Sequence, residues 1–477
     1  MAKDLSELQH NKVSVVDVVH FGEKITLPEN MSAEDAIVAL ERHATYMQQT
    51  VEISSNFDAF PWDGANALAL AIERRFGFAV AQATPSFFGS EPPKMINIEV
   101  GPGQNKRVPW GRFSLPGMKG YVETGVSQNR GRYVFAIRAN VLRNDEDTIN
   151  ALFADVKKIL ENESIYAGKA IKIRFRDDSG KVLSMPEPQF MSVDHINREQ
   201  LIYSKEIAEA IETNLFTPIE RVQDCEANDI PFKRGVLLGG PYGTGKTLAA
   251  TVASRIAQDN NVTYVYVPRA DELADAIEFA KQYQTTAAVV FCEDIDRTVN
   301  GERSIAMDDI LNILDGIDTK SSRILTILTT NHLQNINPAM LRPGRLDAII
   351  NVTAPDAEAA ERLIRYYGGD AIAADTDLTA AGKHLDGQIP ATIAEAVKRA
   401  KLVQLRLQEP GTKITQLTSD AITEAANTMS EQNRILAEAS KPKNAPVTID
   451  QLIQTAVTRG TDGLPDEVSD SVYQRLN

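Results

Sequence analysis

GVLLGGPYGTGKT, residues 235–247, sets a short apolar run against a glycine-rich loop ending in Gly-Lys-Thr, and a helical pattern follows it. The spacing GxxxxGK[ST] between a strand and a helix is that of a phosphate-cradling loop. Its glycines let backbone amides turn inward around phosphate oxygens, and the helix N-terminus behind them favours negative charge. In this reading Gly240, Pro241, Tyr242, Gly243, Thr244, Gly245, Lys246, Thr247 and Leu248 are the nucleotide-contacting stretch. Lys246 reaches the β and γ phosphates and Thr247 ligates magnesium, so the expected cofactors are ATP and Mg2+.

Outward from the loop, β-branched runs alternate with helical patterns, as expected of an α/β unit with a parallel sheet. GVLLG (235–239), TYVYV (263–267), AAVVFC (287–292), RILTILTTN (323–331) and AIINV (348–352) are its five strand candidates. AAVVFC is too apolar for an edge and belongs in mid-sheet, delivering the acids that follow it to the C-terminal rim beside the phosphates. Those acids are Glu293 and Asp294, in VVFCEDIDR (289–297), with Glu before Asp. On that register Glu293 faces the magnesium shell and Asp294 the attacking water. The converse register needs Asp294 and Asp296 in the two roles, although residues two apart on a strand share one face.

The chain has 477 residues and a net charge of −15, which weighs against a dedicated nucleic-acid binder. Two cysteines, Cys225 and Cys292, exclude a disulfide framework within one chain. No run reaches the length of a membrane span and the N-terminus has neither a signal core nor a transit pattern, so the expectation is a cytoplasmic protein. Residues 1–200 mix helices (AEDAIVALERHATYMQQ, TINALFADVKKILEN) with strands (MINIEV, RYVFAIRANV, AIKIRFRDD) and read as an α+β partner-recognition domain. Pro186 and Pro188 mark the start of its link to the rest. Residues 201–365 form the nucleotide-binding domain, 366–440 a helical lid, and 441–477 a linker with short helices. In VPWGRFSLPG (108–117), Trp110 and Phe113 stand among Lys106, Arg107 and Arg112, a mixture that can stack single-stranded nucleic acid. An aromatic-anchored hairpin is the reading consistent with the acidity of the whole chain.

GVLLGGPYGTGKT, VVFCEDID and TTNHLQNINPAMLRPGRLD together resemble the AAA ATPases in the narrow sense, over about residues 207–429. The resemblance implies a P-loop AAA core, five-stranded and parallel, with an α-helical lid. It makes Asn331 the sensor of the γ-phosphate, and Arg342 and Arg345 the fingers that reach a neighbouring subunit's nucleotide. The active unit it implies is a homo-oligomeric ring, a hexamer. In QIPATIAEAV, Pro390 replaces the family's glycine and Ala391 alone is kept near the adenine; Arg399 reads as part of a solvated face with Lys398. The Glu-Asp order also occurs, by resemblance, in the mitochondrial AAA chaperone that translocates the folded Rieske protein. The family's aromatic gripping triplet has no counterpart in PRADELADAIEFAKQYQTT, where Phe279 and Tyr283 stand at i, i+4 and read as core.

The function expected is therefore an ATP-hydrolysing ring that remodels or moves a protein substrate or adaptor chosen by residues 1–200. An ATP-switched assembly scaffold with little hydrolysis is the alternative, and a DNA-directed loader is disfavoured by charge.

Overall fold

The computed structural model describes residues 19–21, 24–26, 31–86, 89–129, 132–183, 185–283, 287–295, 323–333, 346–411, 413–414 and 416–439. Asp296, Arg342, Arg345 and the stretch from Lys441 onward lie outside them. The chain divides into two compact units, Met1–Ala359 and Ala360–Asn477. No described helix is long and apolar enough to cross a membrane.

The first unit opens with β1 (Val19–Phe21), β2 (Lys24–Thr26) and α1 (Ala33–Met47), whose first turn is capped by the Ser32 hydroxyl accepting from Asp35 N–H at 3.1 Å. Then come β3 (Thr50–Phe57), α2 (Pro61–Phe76), β4 (Val80–Ala81), β5 (Thr84–Ser86), β6 (Gly89–Glu91), β7 (Lys94–Gly101), β8 (Gln104–Trp110), β9 (Arg112–Ser114), β10 (Gly120–Asn129), β11 (Arg132–Leu142) and α3 (Glu146–Glu163). An antiparallel sheet in the order β3-β11-β10-β9-β4 turns one face to α2 and α3. Alternate residues of β11, Phe135, Ile137, Ala139 and Val141, bury there against Leu68, Ile72, Leu152 and Val156. Gly64 of α2 permits the approach, since a Cβ at that position would sit 2.0 Å from the Phe135 ring. Trp110 packs edge-on against Trp62 at 5.2 Å and Phe113 is fully buried. Arg112 lies over the Tyr121 ring and pairs with Glu123 at 3.2 Å. Phe113 thus belongs to the core of the N-terminal sheet and Trp110 packs against it.

The chain then passes through β12 (Ala170–Lys172), β13 (Gln189–Phe190), α4 (Lys205–Ile211), α5 (Thr217–Glu220) and α6 (Val222–Ala227) into β14 (Arg234–Gly239), α7 (Lys246–Asp259), β15 (Thr263–Val267), α8 (Leu273–Lys281), β16 (Ala288–Cys292), β17 (Ile324–Thr330) and β18 (Ala348–Asn351). All five expected strands are present and parallel, in the order β15-β16-β17-β14-β18. β16 is fully buried between β15 and β17, which is why its sequence is apolar on both faces. Two strands extend the sheet beyond β15: β12 in parallel and β13 antiparallel to it. AIKIRF, assigned from sequence to the N-terminal fold, thus starts inside the nucleotide-binding sheet, and the Pro186–Pro188 stretch lies between two of its strands.

Adjacent strand residues point to opposite faces. Val236, Leu238, Val289 and Phe291 pack on Ala249, Ala250 and Ala253 of α7, whereas Leu237, Val265, Val290 and Cys292 pack on α8. The second of these cores is shared with the N-terminal segment. Phe60 lies 5.3 Å from Phe279 and Tyr166 5.8 Å from Tyr283, with all four side chains buried. Phe279 and Tyr283 are therefore core. Between β15 and α8 only residues 268–272 intervene, and they are held down: the buried Glu272 accepts from the amides of Phe175 (3.2 Å) and Arg176 (2.8 Å), and Asp271 pairs with Arg269 at 2.8 Å. Burial pushes the Glu272 carboxyl above its ordinary pKa.

The second unit is helical among its described residues, with helices Thr379–His384, Pro390–Leu407 and Ser419–Ala439 around Ile393, Ala396, Val397, Leu417 and Ile422.

Candidate nucleotide site

The loop leaves β14 at Gly240, whose φ of +142° and whose 2.2 Å clearance from the Val352 carbonyl to any Cβ both demand glycine. Gly240 N–H donates to the Thr330 carbonyl at 3.2 Å, tying the loop to the end of β17. Gly245, at φ +98°, is the N-cap of α7 and turns the chain into the helix. Lys246 is 5% exposed, and its ammonium donates to the carbonyls of Gly240 (2.8 Å) and Pro241 (2.7 Å). The Thr244 hydroxyl donates to the Pro241 carbonyl at 3.0 Å. Tyr242 is exposed, with its ring edge-on to His332 at 6.1 Å, and Leu248 is exposed on the first turn of α7. Gly243 takes φ +75° at the loop's outer bend.

At the C-terminal end of β16 the two acids diverge. Glu293 accepts from the Thr247 hydroxyl at 2.6 Å and from the Tyr266 hydroxyl at 2.9 Å. Asp294 accepts from the Asn331 amide at 2.9 Å, and its own backbone N–H donates to the Thr329 hydroxyl at 2.9 Å. Asp294 takes φ +47°, a left-handed conformation that a short polar side chain tolerates and that occurs preferentially where a site requires it. The structure thus brings two hydrogen-bonded pairs, Thr247 with Glu293 and Asn331 with Asp294, to the rim of the sheet, while Lys246 is held by the carbonyls of its own loop. Ala391 sits in the first turn of helix Pro390–Leu407 of the second unit, and Arg399 of that helix pairs with Glu395 at 3.0 Å.

Two residues of this rim carry no motif. Tyr203, just before α4, donates to the Gly245 carbonyl at 2.8 Å, and burial pushes its phenol pKa up. Tyr266, the fourth residue of TYVYV, has its phenol pKa raised by burial and by its hydrogen bond to Glu293. Strand alternation places Tyr266 and Tyr264 on one face and is the only signal that could have marked Tyr266. Nothing in sequence marks Tyr203.

A glycine-rich loop between a strand and a helix, at the C-terminal rim of a parallel sheet, with acids at the end of β16, separated from the loop's own strand β14 by β17, defines a P-loop nucleotide-binding protein. Residues 236–354 match the model of the ATPase family associated with various cellular activities (AAA), and this part of the chain is an AAA-type P-loop ATPase domain. The chain is 30% identical over 231 residues to the ATP-dependent zinc metalloprotease FtsH of Mycobacterium bovis, covering 44% of this chain and 29% of that protein. It is 27% identical over 263 residues to the Cell division cycle protein 48 homolog of Archaeoglobus fulgidus, covering 51% and 34%. To the Protein CdcH of Halobacterium salinarum it is 25% identical over 257 residues, covering 49% and 34%. The chain thus spans about a third of the length of these relatives.

Proposed function

We propose that the chain binds Mg2+-ATP in its phosphate loop, hydrolyses it, and works as a homo-oligomeric ring, a hexamer, that moves or remodels a protein partner. The observation that carries this reading is the division of two adjacent carboxylates, Glu293 toward the Thr247 hydroxyl and Asp294 toward the Asn331 amide. A hydroxyl and a carboxylate are the hard oxygen donors that suit magnesium, so Thr247 and Glu293 fit the ion. Bound there, Mg2+ supplies charge neutralisation on the phosphates. Lys246 exchanges its loop carbonyls for phosphate oxygens. Asp294, oriented by Asn331 and Thr329, positions the attacking water, and Asn331 reads the γ-phosphate. Arg342 and Arg345 are assigned, by likeness to the family, as fingers acting on the neighbouring subunit. The ATP-dependent function printed in the FtsH name supports hydrolysis in this domain.

The test is a pair of variants. Glu293→Gln is expected to weaken Mg2+-ATP binding, whereas Asp294→Asn retains ATP and stalls, losing about 10² to 10⁴ in turnover. Parental turnover in Asp294→Asn together with a tightly binding but inactive Glu293→Gln reverses the two roles. Negligible steady-state turnover in the parent chain instead selects an ATP-switched scaffold, the reading that the reversed acid order favours.

A further inference from the structure

β3 is an edge strand of unusual openness. Among the described residues its only ladder partner is β11, in continuous register from Thr50↔Leu142 to Phe57↔Phe135 without a bulge. Proteins protect such edges with prolines, lysines, bulges or very short strands. The opposite edge of the same sheet follows that rule, since β4 is two residues long. β3 does not: TVEISSNF runs eight residues with one charge, no proline and no lysine.

At the C-terminal end of this edge lies a cavity of about 530 Å³, bounded by Ser55–Phe57 of the strand, by Asp58 and Ala59 beyond it, and by one face of α3. Phe57, Phe153 and Leu160 line it as apolar surface, and Gln282 and Tyr283 close it from the end of α8. The volume is that of a ligand groove, roughly 300–1,000 Å³. A free strand edge facing a helix across an apolar cleft is the arrangement that accepts an extended peptide as an added strand, with the backbone supplying affinity and side-chain pockets supplying specificity. Two exposed acids flank it, Asp58 and Glu161, with Lys157 beside them, whereas the third acid of its lining, Asp63, is 1% exposed and engaged with Ser164 and Ile165. The Lys157–Glu161 pair is 4.0 Å apart and well exposed, which leaves Glu161 available to a stronger partner. Asp58 is half exposed although it pairs with Arg132 at 3.2 Å.

We propose that the groove between β3 and α3 is the docking site for an extended segment of a partner polypeptide, which adds as a strand to β3 and places a basic side chain against Asp58 and Glu161. This rests on the reading that the chain acts on a protein partner, and it names the partner's recognised feature. The same groove reaches the ATPase fold through Gln282, whose side-chain amide donates to the Tyr133 carbonyl at 2.7 Å, and through Tyr283, buried in the core shared with α8. An occupant therefore touches Gln282 and Tyr283, the residues that directly follow α8.

The experiment uses the full chain and three fluorescein-labelled heptapeptides followed by anisotropy: Thr-Val-Lys-Val-Thr-Val-Lys, its counterpart with Glu in place of Lys, and the Lys peptide with alternate amides N-methylated. The Lys peptide is expected to bind saturably, with the Glu and methylated peptides weaker by at least roughly tenfold. Ala154→Trp, which fills the groove from α3, is expected to remove binding, and Glu161→Lys to shift preference toward the Glu peptide. No saturable binding of the Lys peptide below about 1 mM overturns the proposal. So does equal affinity for the methylated peptide, or binding indifferent to both variants. Nucleotide-free self-association abolished by Ala154→Trp assigns the groove to a second copy of this chain and overturns it equally. ATP affinity of the parent chain, measured alongside, separates the two readings: lost peptide binding with intact ATP binding removes this proposal alone, and the converse removes the ATPase assignment.

Discussion

Asp63 and Glu293 are both carboxylates that accept from hydroxyl groups, yet they sit in opposite settings. Asp63 is sealed beneath the N-terminal sheet at 1% exposure, accepting from the Ser164 hydroxyl at 2.6 Å and the Ile165 amide at 3.0 Å, with a further hydrogen bond from Tyr283. Burial outweighs these donors and raises its pKa to about 6. Glu293 is half buried at the sheet's rim, where the hydroxyls of Thr247 and Tyr266 orient it beside the phosphate loop. A carboxylate closed in on all sides can only hold two segments together. A carboxylate at an open rim can exchange its hydroxyl partners for a ligand, and that difference separates structural from chemical use more surely than residue type does.

The contrast breaks first at the rim. Lys246 is the only side-chain cation in residues 240–247, and replacing it by alanine is expected to lower ATP affinity at least roughly a hundredfold. Equilibrium binding of a fluorescent ATP analogue checks this, and unchanged affinity removes the phosphate-loop assignment. At the sealed site the corresponding change is steric. Phe279→Ala opens the core that Phe60 and Tyr166 share with α8, and is expected to cost about 3–5 kcal/mol in urea unfolding. A cost below about 1 kcal/mol means that the N-terminal segment and the ATPase fold are not joined through this core.

How far each setting was legible in the sequence follows from the range of its contacts. The phosphate loop, its strand and its helix are contiguous, so a local spacing reveals them, and the apolar AAVVFC identifies a central strand by itself. The divergence of Glu293 and Asp294 could be argued from strand alternation, although their partners Tyr266 and Thr329 arrive from neighbouring strands that no local pattern pairs. AIKIRF looks the same whichever sheet it joins, so its place beside β15 was hidden. Asp63 was hidden more deeply. In PWDGANALALAIERR an acid in the first helical turn reads as a solvated residue favoured by the helix dipole, and only the packing of Ser164, Ile165 and Tyr283 around it shows otherwise.

That burial gives the sealed site a pH signature. Asp63 rises from an ordinary value near 4 in the unfolded chain to about 6 when folded, so between these values the folded state holds the extra proton. Its stability therefore falls as pH climbs from about 4 through 6, by about 3 kcal/mol in all, and stays lowered above that. Asp63→Asn, which cannot ionise, is expected to gain on the parent across the same window and to hold that gain at pH 8. Melting temperatures of both proteins between pH 4 and 8 read this directly. A difference that does not vary with pH contradicts the raised value.

The smallest effect probes the rim in the same chemical terms. Tyr266→Phe deletes one hydroxyl donor to Glu293 and leaves the Thr247 contact in place. Because burial and the Glu293 carboxylate both raise the Tyr266 phenol's pKa, it stays protonated and remains a donor throughout the working pH range. A single hydrogen bond to a half-buried carboxylate contributes about 1 kcal/mol, so Mg2+-ATP affinity should fall roughly fivefold. Turnover at saturating ATP should stay near that of the parent, since the water-positioning group on this reading is Asp294 and its partners Asn331 and Thr329 are untouched. Measuring affinity and saturated turnover separately distinguishes the two acids without altering either. A Tyr266→Phe protein that binds Mg2+-ATP as the parent does but turns over a hundredfold more slowly places Glu293, not Asp294, beside the attacking water.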